Sequence, residues 1–246
     1  MILLIPSGGS LMTPLSDSSL ELEFHPLTTE RWDDFEELFG ENGACGGCWC
    51  MWFRQTRSEF EKNKGEGNRR AMKAIVESGR VPGILAYIKE TGRIPQGSAR
   101  EGRDAEPEAI SPGNSSAGTA PERDERFGSL TRAIGWCSVE PRERFPRLET
   151  SRVLSPVDDQ PVWSIVCFFI DKEYRLRGVS VELMKAAVEY AALKGAKIVE
   201  GYAAEPKKAK VPDLYVFHGH VSAYRQAGFK EVARRSPTRP IMRYVI

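Results

Sequence analysis

Long apolar runs are missing from this 246-residue chain. No stretch approaches the ~20 residues that a membrane-crossing helix needs, and the opening Met1-Ile-Leu-Leu-Ile-Pro6 is too short and lacks the basic flank of a secretory signal. A surplus of either charge is missing as well. Thirty-five Lys and Arg stand against 34 Asp and Glu, which leaves no electrostatic footprint of a general nucleic-acid binder. Cysteine is sparse, and an odd total of five suits a reducing compartment better than a disulfide framework. These absences lead us to expect a cytoplasmic protein with neither membrane nor nucleic acid as partner, its oligomeric state unread. The length is enough to bury a sizeable core, and one α/β domain with extra segments is the default.

What is there centres on the stretch from Trp163 to Ala192. Trp163 to Ile170 is a continuous apolar, β-branched and aromatic run, the pattern of a strand buried on both faces of a sheet. From Val179 the apolar residues Val179, Leu183, Met184, Ala187, Val188 and Ala191 recur at spacings of three and four, which predicts a helix that Gly195 stops. Between the two lies Arg175-Leu-Arg-Gly-Val-Ser180. Gly178 lets a ligand approach the backbone, the first N–H groups of the helix lack internal acceptors, and Arg175 and Arg177 add positive charge to the same rim. Two readings follow: an anion site, or an ordinary helix start with solvated arginines.

This turn resembles the Arg/Gln-x-x-Gly-x-Gly/Ala signature of the GNAT N-acetyltransferases, with Arg175, Gly178 and Ser180 at its fixed positions. Ser180 departs from the pattern but is still small. Phe168-Phe-Ile-Asp-Lys-Glu-Tyr174 resembles that family's strand end, and Ala223-Tyr-Arg-Gln-Ala-Gly-Phe229 its helix-to-strand segment, with a tyrosine four residues before Gly-Phe. The resemblance runs roughly from Leu20 to the C-terminus, with its motifs after Trp163. It implies an α/β fold with a mixed, mostly antiparallel sheet flanked by helices, in the order β-α-α-β-β-β-α-β-α-β-β. It also implies transfer of an acetyl group from acetyl-coenzyme A, as co-substrate, to a primary amine on a small molecule or peptide, without a metal.

The same resemblance carries the site residues. Backbone amides around Arg175, Leu176, Arg177, Gly178, Val179 and Ser180 would hold the pyrophosphate, and the splayed edge at Phe168, Phe169 and Ile170 would pair with the pantetheine arm. An N–H near Phe169 or Ile170 would polarise the thioester, and Tyr224 would protonate the departing sulfur. A tyrosine held for structure alone is the other reading of Tyr224. Glu140, Glu200 and Glu205 lie near strand ends as candidate bases, yet each is equally explained as a surface charge. A water chain can serve instead, so no base is assigned.

Taken in order, residues 1–19 are rich in Ser, Gly and Pro and read as a flexible leader, with the domain at 20–246. Leu20, Leu22 and Phe24 alternate as in a half-buried strand, and Thr28 or Thr29 would cap a helix carrying Trp32, Phe35, Leu38 and Phe39. Ser58 to Ser78 reads as a helix broken near Gly65 and Gly67, and Gly83–Ile88 and Ala133–Val139 as strands. Between those strands, residues 91–131 have almost nothing to bury and read as a disordered insertion. Residues 140–159 read as a long mixed-charge loop with Arg142 solvated. Lys197–Ala203 would be a strand, Val221 to Ala227 a short helix, and Glu231–Ala233 and Ile241–Ile246 a final antiparallel pair.

One motif stands apart. Cys45-Gly-Gly-Cys48-Trp-Cys50 has spacing that invites a metal, but the chain has no second CxxC, and only His218-Gly-His220 could complete a ligand set. A Cys45–Cys48 redox pair is a second reading, and packing of soft sulfurs against aromatics around a tight glycine turn is a third. Two other classes of function follow: a non-catalytic acyl-coenzyme A sensor, and a metal- or redox-responsive interaction protein built on Cys45, Cys48 and Cys50.

Overall fold

The computed structural model describes residues 20–89, 130–207, 212 and 215–246. The leader at 1–19 and residues 91–129 of the expected insertion lie outside the described residues. Leu130 and Thr131, which the sequence reading assigns to that insertion, are already strand.

Strand β4 (Trp163–Ile170) sits in the middle of a seven-stranded sheet, as its unbroken apolar run demands. The others are β1 (Leu22–Pro26), β2 (Gly83–Lys89), β3 (Leu130–Pro141), β5 (Ile198–Tyr202), β6 (Lys230–Arg234) and β7 (Pro240–Val245), in the order β1-β2-β3-β4-β5-β7-β6. Neighbours run antiparallel except β4 and β5, which are parallel. A parallel pair needs a crossover, and helix α5 (Val179–Leu193) supplies it. The fold is therefore a mixed, mostly antiparallel sheet flanked by helices.

Helix α5 packs on one face together with α6 (Val221–Gln226). Val179, Leu183, Met184, Ala187, Val188 and Ala191 are all buried there, against Ile134, Ile165 and Phe168. Each of the Val, Leu, Met, Ile and Phe side chains withdrawn from water there is worth about 1.5–3 kcal/mol. The opposite face is covered by α1 (Trp32–Phe39) and α3 (Glu66–Glu77), whose Trp32, Phe35, Phe39, Met72 and Val76 close over Leu85, Tyr87 and Trp136.

The helix expected over 58–78 is two. Helix α2 (Arg57–Asn63) is opened by a capping box, in which Thr56 Oγ1 accepts from Glu59 N–H at 3.4 Å and Thr56 N–H donates to the Glu59 carboxylate at 2.8 Å. Gly65, at φ +81°, then breaks the chain before α3. Its N–H donates to the carbonyl of Gly47 at 3.0 Å, and Asn68 Nδ2 donates to the same oxygen at 3.0 Å. A Cβ on Gly47 would lie 2.5 Å from Gly65 N. The break is thus a backbone seat for the cysteine segment rather than a solvated bend.

The 140–159 region is also more ordered than a loop. A short helix, α4 (Pro146–Glu149), forms there, and Phe145, Leu148 and Leu154 are buried with Phe53, Val166 and Tyr202. With α4 and the split helix, the element order is β-α-α-α-β-β-α-β-α-β-α-β-β.

Candidate functional site

The parallel pair is brief. Trp163 pairs with Val199, Ser164 with Glu200 and Ile165 with Gly201, and there β4 and β5 part company. Beyond Ile165, strand β4 continues to Ile170 along β3 but has lost its neighbour on the other side. Backbone groups alternate along a strand, so the direction of each donor can be read. Phe168 N–H points away from β3 and donates to the Phe217 carbonyl at 2.7 Å, while Asp171 N–H points to β3 and donates to the Ile134 carbonyl at 2.9 Å. Phe169 therefore spends its N–H in the β3 ladder, and Ile170 turns its N–H into the opening. Of the three residues expected along this edge, Phe168 and Ile170 face the opening through their backbone and Phe169 does not.

A single turn of 3-10 helix, Lys172–Tyr174, carries the chain from β4 to α5. Arg175 Nε donates to the Ile170 carbonyl at 2.9 Å, tying the turn back to the strand end, and Arg177 lies over the Tyr174 ring at 5.8 Å. Leu176 is fully exposed with φ +61°. Gly178 adopts φ +82°, ψ −4°, a left-handed conformation that disfavours any side chain. A Gly178→Glu substitution would therefore strain the fold whatever it did to a ligand. The Gly178 carbonyl accepts from Val181 and Glu182 at 2.9 and 3.3 Å. The N–H groups of Val179 and Ser180, at the first two helical positions, have no intrahelical acceptor.

Tyr224 lies at the floor of the parted strands. It is fully buried and its hydroxyl donates to the His218 carbonyl at 3.0 Å. Its ring meets Phe168 and Phe229 edge-on, and Gly201 on β5 makes room for it: a Cβ there would fall 2.0 Å from Tyr224 Cε1. Burial, with lesser contributions from neighbouring Cys137, Tyr202 and Cys167, holds its pKa well above the usual phenol value. His218 is buried too, with its ring against Phe53 and Phe217. Burial above all pushes its pKa down to about 3, Arg239 adding to this and a hydrogen bond to the Val166 backbone opposing it. Segment Phe217–His218 thus bridges the crotch between β4 and the start of α6.

The candidate bases are placed otherwise than surface charges. Glu140 and Glu200 are 4% and 1% exposed. Glu140 is held by Arg54 and, at 2.9 Å, by Arg80; Arg54 also donates to the Pro82 carbonyl at 2.8 Å and to Ser138 Oγ at 2.9 Å. Glu200 accepts from Arg243 at 2.6 Å and from Tyr202 at 3.2 Å. Only Glu205 stays near the surface, paired with Arg234 at 2.5 Å. Arg142 is likewise no solvated side chain: it donates to Glu149 at 2.8 Å, to Tyr202 at 2.7 Å and to the Leu154 carbonyl at 2.8 Å. Buried charges need such partners. A glutamate in the buried Ile-Val-Glu-Gly-Tyr strand was the sequence signal for this network.

The cysteine segment is a tightly wound turn packed on the sheet. Trp49, Cys50, Met51 and Phe53 are buried, Cys48 is half-buried and Cys45 exposed. Trp49 stacks on Phe39, which in turn touches Phe169, with ring centroids 5.7 and 5.3 Å apart. Ala44, Trp49 and Cys50 have φ of +66°, +42° and +56°, conformations that cost about 1–3 kcal/mol each for residues with a side chain. His220 does not join these cysteines, since its Nδ1 accepts from Ser222 N–H at the start of α6. Among the described residues, no group of three or more His, Cys, Asp or Glu side chains is arranged to hold a metal ion. None of the helices among them is long and apolar enough to cross a membrane.

Residues 107–215 match the model of the acetyltransferase (GNAT) family. That interval holds β4, the Gly178 turn and α5, and stops short of Tyr224. No curated protein matches the sequence. Solved structures with a related course of chain include NAA60 of Arabidopsis thaliana in complex with acetyl-CoA, at 12% identity, 92% of this chain, 100% of that one and a TM-score of 0.41. Another is the PaiA N-acetyltransferase of Thermoplasma acidophilum in complex with coenzyme A, at 11% identity, 92% and 99% coverage and a TM-score of 0.42. A GNAT-family acetyltransferase of Listeria monocytogenes gives 8% identity, 94% and 99% coverage and 0.45.

Proposed function

We propose, from the premise that this chain belongs to the GNAT acetyltransferase family, that it moves an acetyl group from acetyl-coenzyme A to a primary amine by direct attack on the thioester. The observation that carries this reading is the early parting of β4 from β5, which leads straight into a left-handed glycine and the start of a long helix. A strand edge that lacks a neighbour suits an amide-bearing arm, and the unpaired first-turn N–H groups suit a pyrophosphate.

The coenzyme would lie with its diphosphate on Val179 and Ser180 and its arm against Phe168 and Ile170. The thioester carbonyl would accept from Ile170 N–H, a donor fixed by the sheet and therefore organised before the oxyanion forms. Helix α5 fills one face of β4, so the amine would approach from the other, past Phe169 and the cysteine segment. Attack of the neutral amine forms the C–N bond, the C–S bond breaks, and the coenzyme thiolate takes a proton. Tyr224 would supply it. Its raised pKa keeps that proton in place at neutral pH, and reaching the sulfur requires the hydroxyl to leave the His218 carbonyl. Glu140 and Glu200 are committed to arginines, so removal of the amine's proton falls to water.

The test is a screen of amines with acetyl-coenzyme A, following release of the free thiol and the mass of the product. Acetylated amine formed in step with thiol supports the reading. Tight coenzyme binding with no product from any amine favours the non-catalytic sensor, and no binding removes both.

A further inference from the structure

The function above leaves the cysteines unused, and they are not scattered. Cys50, at the end of the strained turn, packs on the face of the sheet that carries Cys167, which pairs on β4 with Ser138, two residues along β3 from Trp136. Trp136 Nε1 donates to Cys50 Sγ at 3.2 Å. Arg54, four residues on, brings a guanidinium into the same pocket, where it is buried between Glu140 and Ser138. The Trp136 donor and the Arg54 charge favour sulfur with negative charge over neutral thiol. Cys50 itself holds a left-handed φ of +56°.

We propose that Cys50 and Cys167 are a peroxide-reactive pair, Cys50 being the sulfur that a small hydroperoxide oxidises and Cys167 the one that closes a disulfide with it. In the first step the Cys50 thiolate attacks one oxygen of the peroxide. The S–O bond forms, the O–O bond breaks, and the sulfur loses two electrons to the peroxide, which leaves as hydroxide and is protonated to water. In the second step Cys167 sulfur attacks Cys50 sulfur. The S–S bond forms, the S–O bond breaks, and the departing hydroxide takes the Cys167 proton and leaves as a second water.

The division of roles follows from the surroundings. Burial alone would raise the Cys50 thiol, but donation from Cys167, the charge of Arg54 and donation from Trp136 and Ser138 outweigh it and bring its pKa to about 7. Donation to Cys50 and burial push Cys167 well above the ordinary value, and burial does the same to Cys137. Cys167 is half-buried rather than sealed, which gives a molecule of peroxide's size an approach. Cys45, the most exposed thiol, has no comparable set of donors, so exposure and activation point to different cysteines.

The experiment treats the reduced full-length protein with hydrogen peroxide, alkylates the remaining thiols under denaturing conditions and maps the peptides. Expected is a Cys50–Cys167 bridge in most molecules, with the loss of two hydrogen atoms and full reversal by dithiothreitol, while Cys137 stays alkylatable. In Cys167→Ser, oxidation stops at a sulfenic acid on Cys50 that dimedone captures; in Cys45→Ser, the bridge forms in unchanged yield. Oxidation confined to Cys45 and Cys48, with Cys50 and Cys167 still alkylatable, overturns the proposal. So does a native protein whose Cys50 is inert to peroxide. Because both of these are read on the unmutated chain, a variant that fails to fold does not shield the idea.

Discussion

Arg142 donates to the Tyr202 hydroxyl at 2.7 Å inside the protein, and Tyr202 in turn meets Ser164 at 2.8 Å and Glu200 at 3.2 Å. This chain of contacts joins the segment after β3 to β4 and β5 at the three residue pairs where those strands still touch. With Arg243 and Asp158 it forms a charged core beneath the parting of the strands.

Arg142→Ala should therefore destabilise the protein by about 1–3 kcal/mol, since the Leu154 carbonyl and the Tyr202 hydroxyl lose a buried donor while Glu200 keeps Arg243. Urea unfolding followed by circular dichroism measures this. A loss below about 1 kcal/mol would mean that Arg142 behaves as the solvated side chain its neighbours in the sequence suggest.

A clean probe of the anion cradle has to avoid Gly178, where any side chain is strained regardless of ligand. Ser180→Glu is the better choice, because glutamate at the second helical position is favoured by the helix dipole. Its fold should be intact and its acetyl-coenzyme A affinity lower by at least tenfold, from charge set against phosphate. Arg175→Ala should lose about 1.5–3 kcal/mol of binding, the worth of a hydrogen bond to a charged group. Calorimetric titration of both variants decides; a Ser180→Glu protein that binds like the parent removes the pyrophosphate from this helix start.

Tyr224→Phe keeps the ring in its socket over Gly201 and deletes only the hydroxyl. If that hydroxyl is the proton donor, kcat should fall roughly a hundredfold with KM for acetyl-coenzyme A little changed. If it serves only to hold the His218 carbonyl, kcat stays and stability drops by about 1 kcal/mol.

His218 sets a pH dependence whose sign can be worked out. Its folded pKa, about 3, lies below the unfolded value of about 6.5, so the unfolded chain binds the proton more readily. The stability held by neutral His218 is complete above about pH 6.5 and drains away as pH falls towards about 3. Replacing it with Gln should flatten the stability profile between about pH 6 and 4 relative to the parent, measured by urea unfolding at a series of pH values. Parallel profiles would place the histidine's pKa close to its ordinary value.

Strand β4, the turn and α5 were legible because periodicity and a short glycine motif are local properties, and every apolar residue assigned to the α5 face is buried. Arg142, Glu140 and Glu200 were not. A charged residue reads as solvent-facing unless its partner is known, and here the partners lie far along the chain, as with Arg54 and Glu140 or Asp158 and Arg243. The left-handed Gly178 was hidden for a related reason: glycine permits both signs of φ, and the sequence does not say which is used. Phe169 and Ile170 were indistinguishable as candidate donors in the sequence, and only the β3 register shows that the Ile170 N–H is the one facing the opening.

With only three paired residues joining β4 to β5, the sheet is mechanically two pieces, β1 to β4 on one side and β5, β7 and β6 on the other. Cohesion between them is shared by the packed helices, the Arg142–Tyr202–Ser164 network and the bridging Phe217–His218 segment, whose main chain takes the place of a missing strand at Phe168. A sheet made this way is unfinished by its own residues. A coenzyme arm lodged in the opening, as proposed above, would be a structural member as well as a guest.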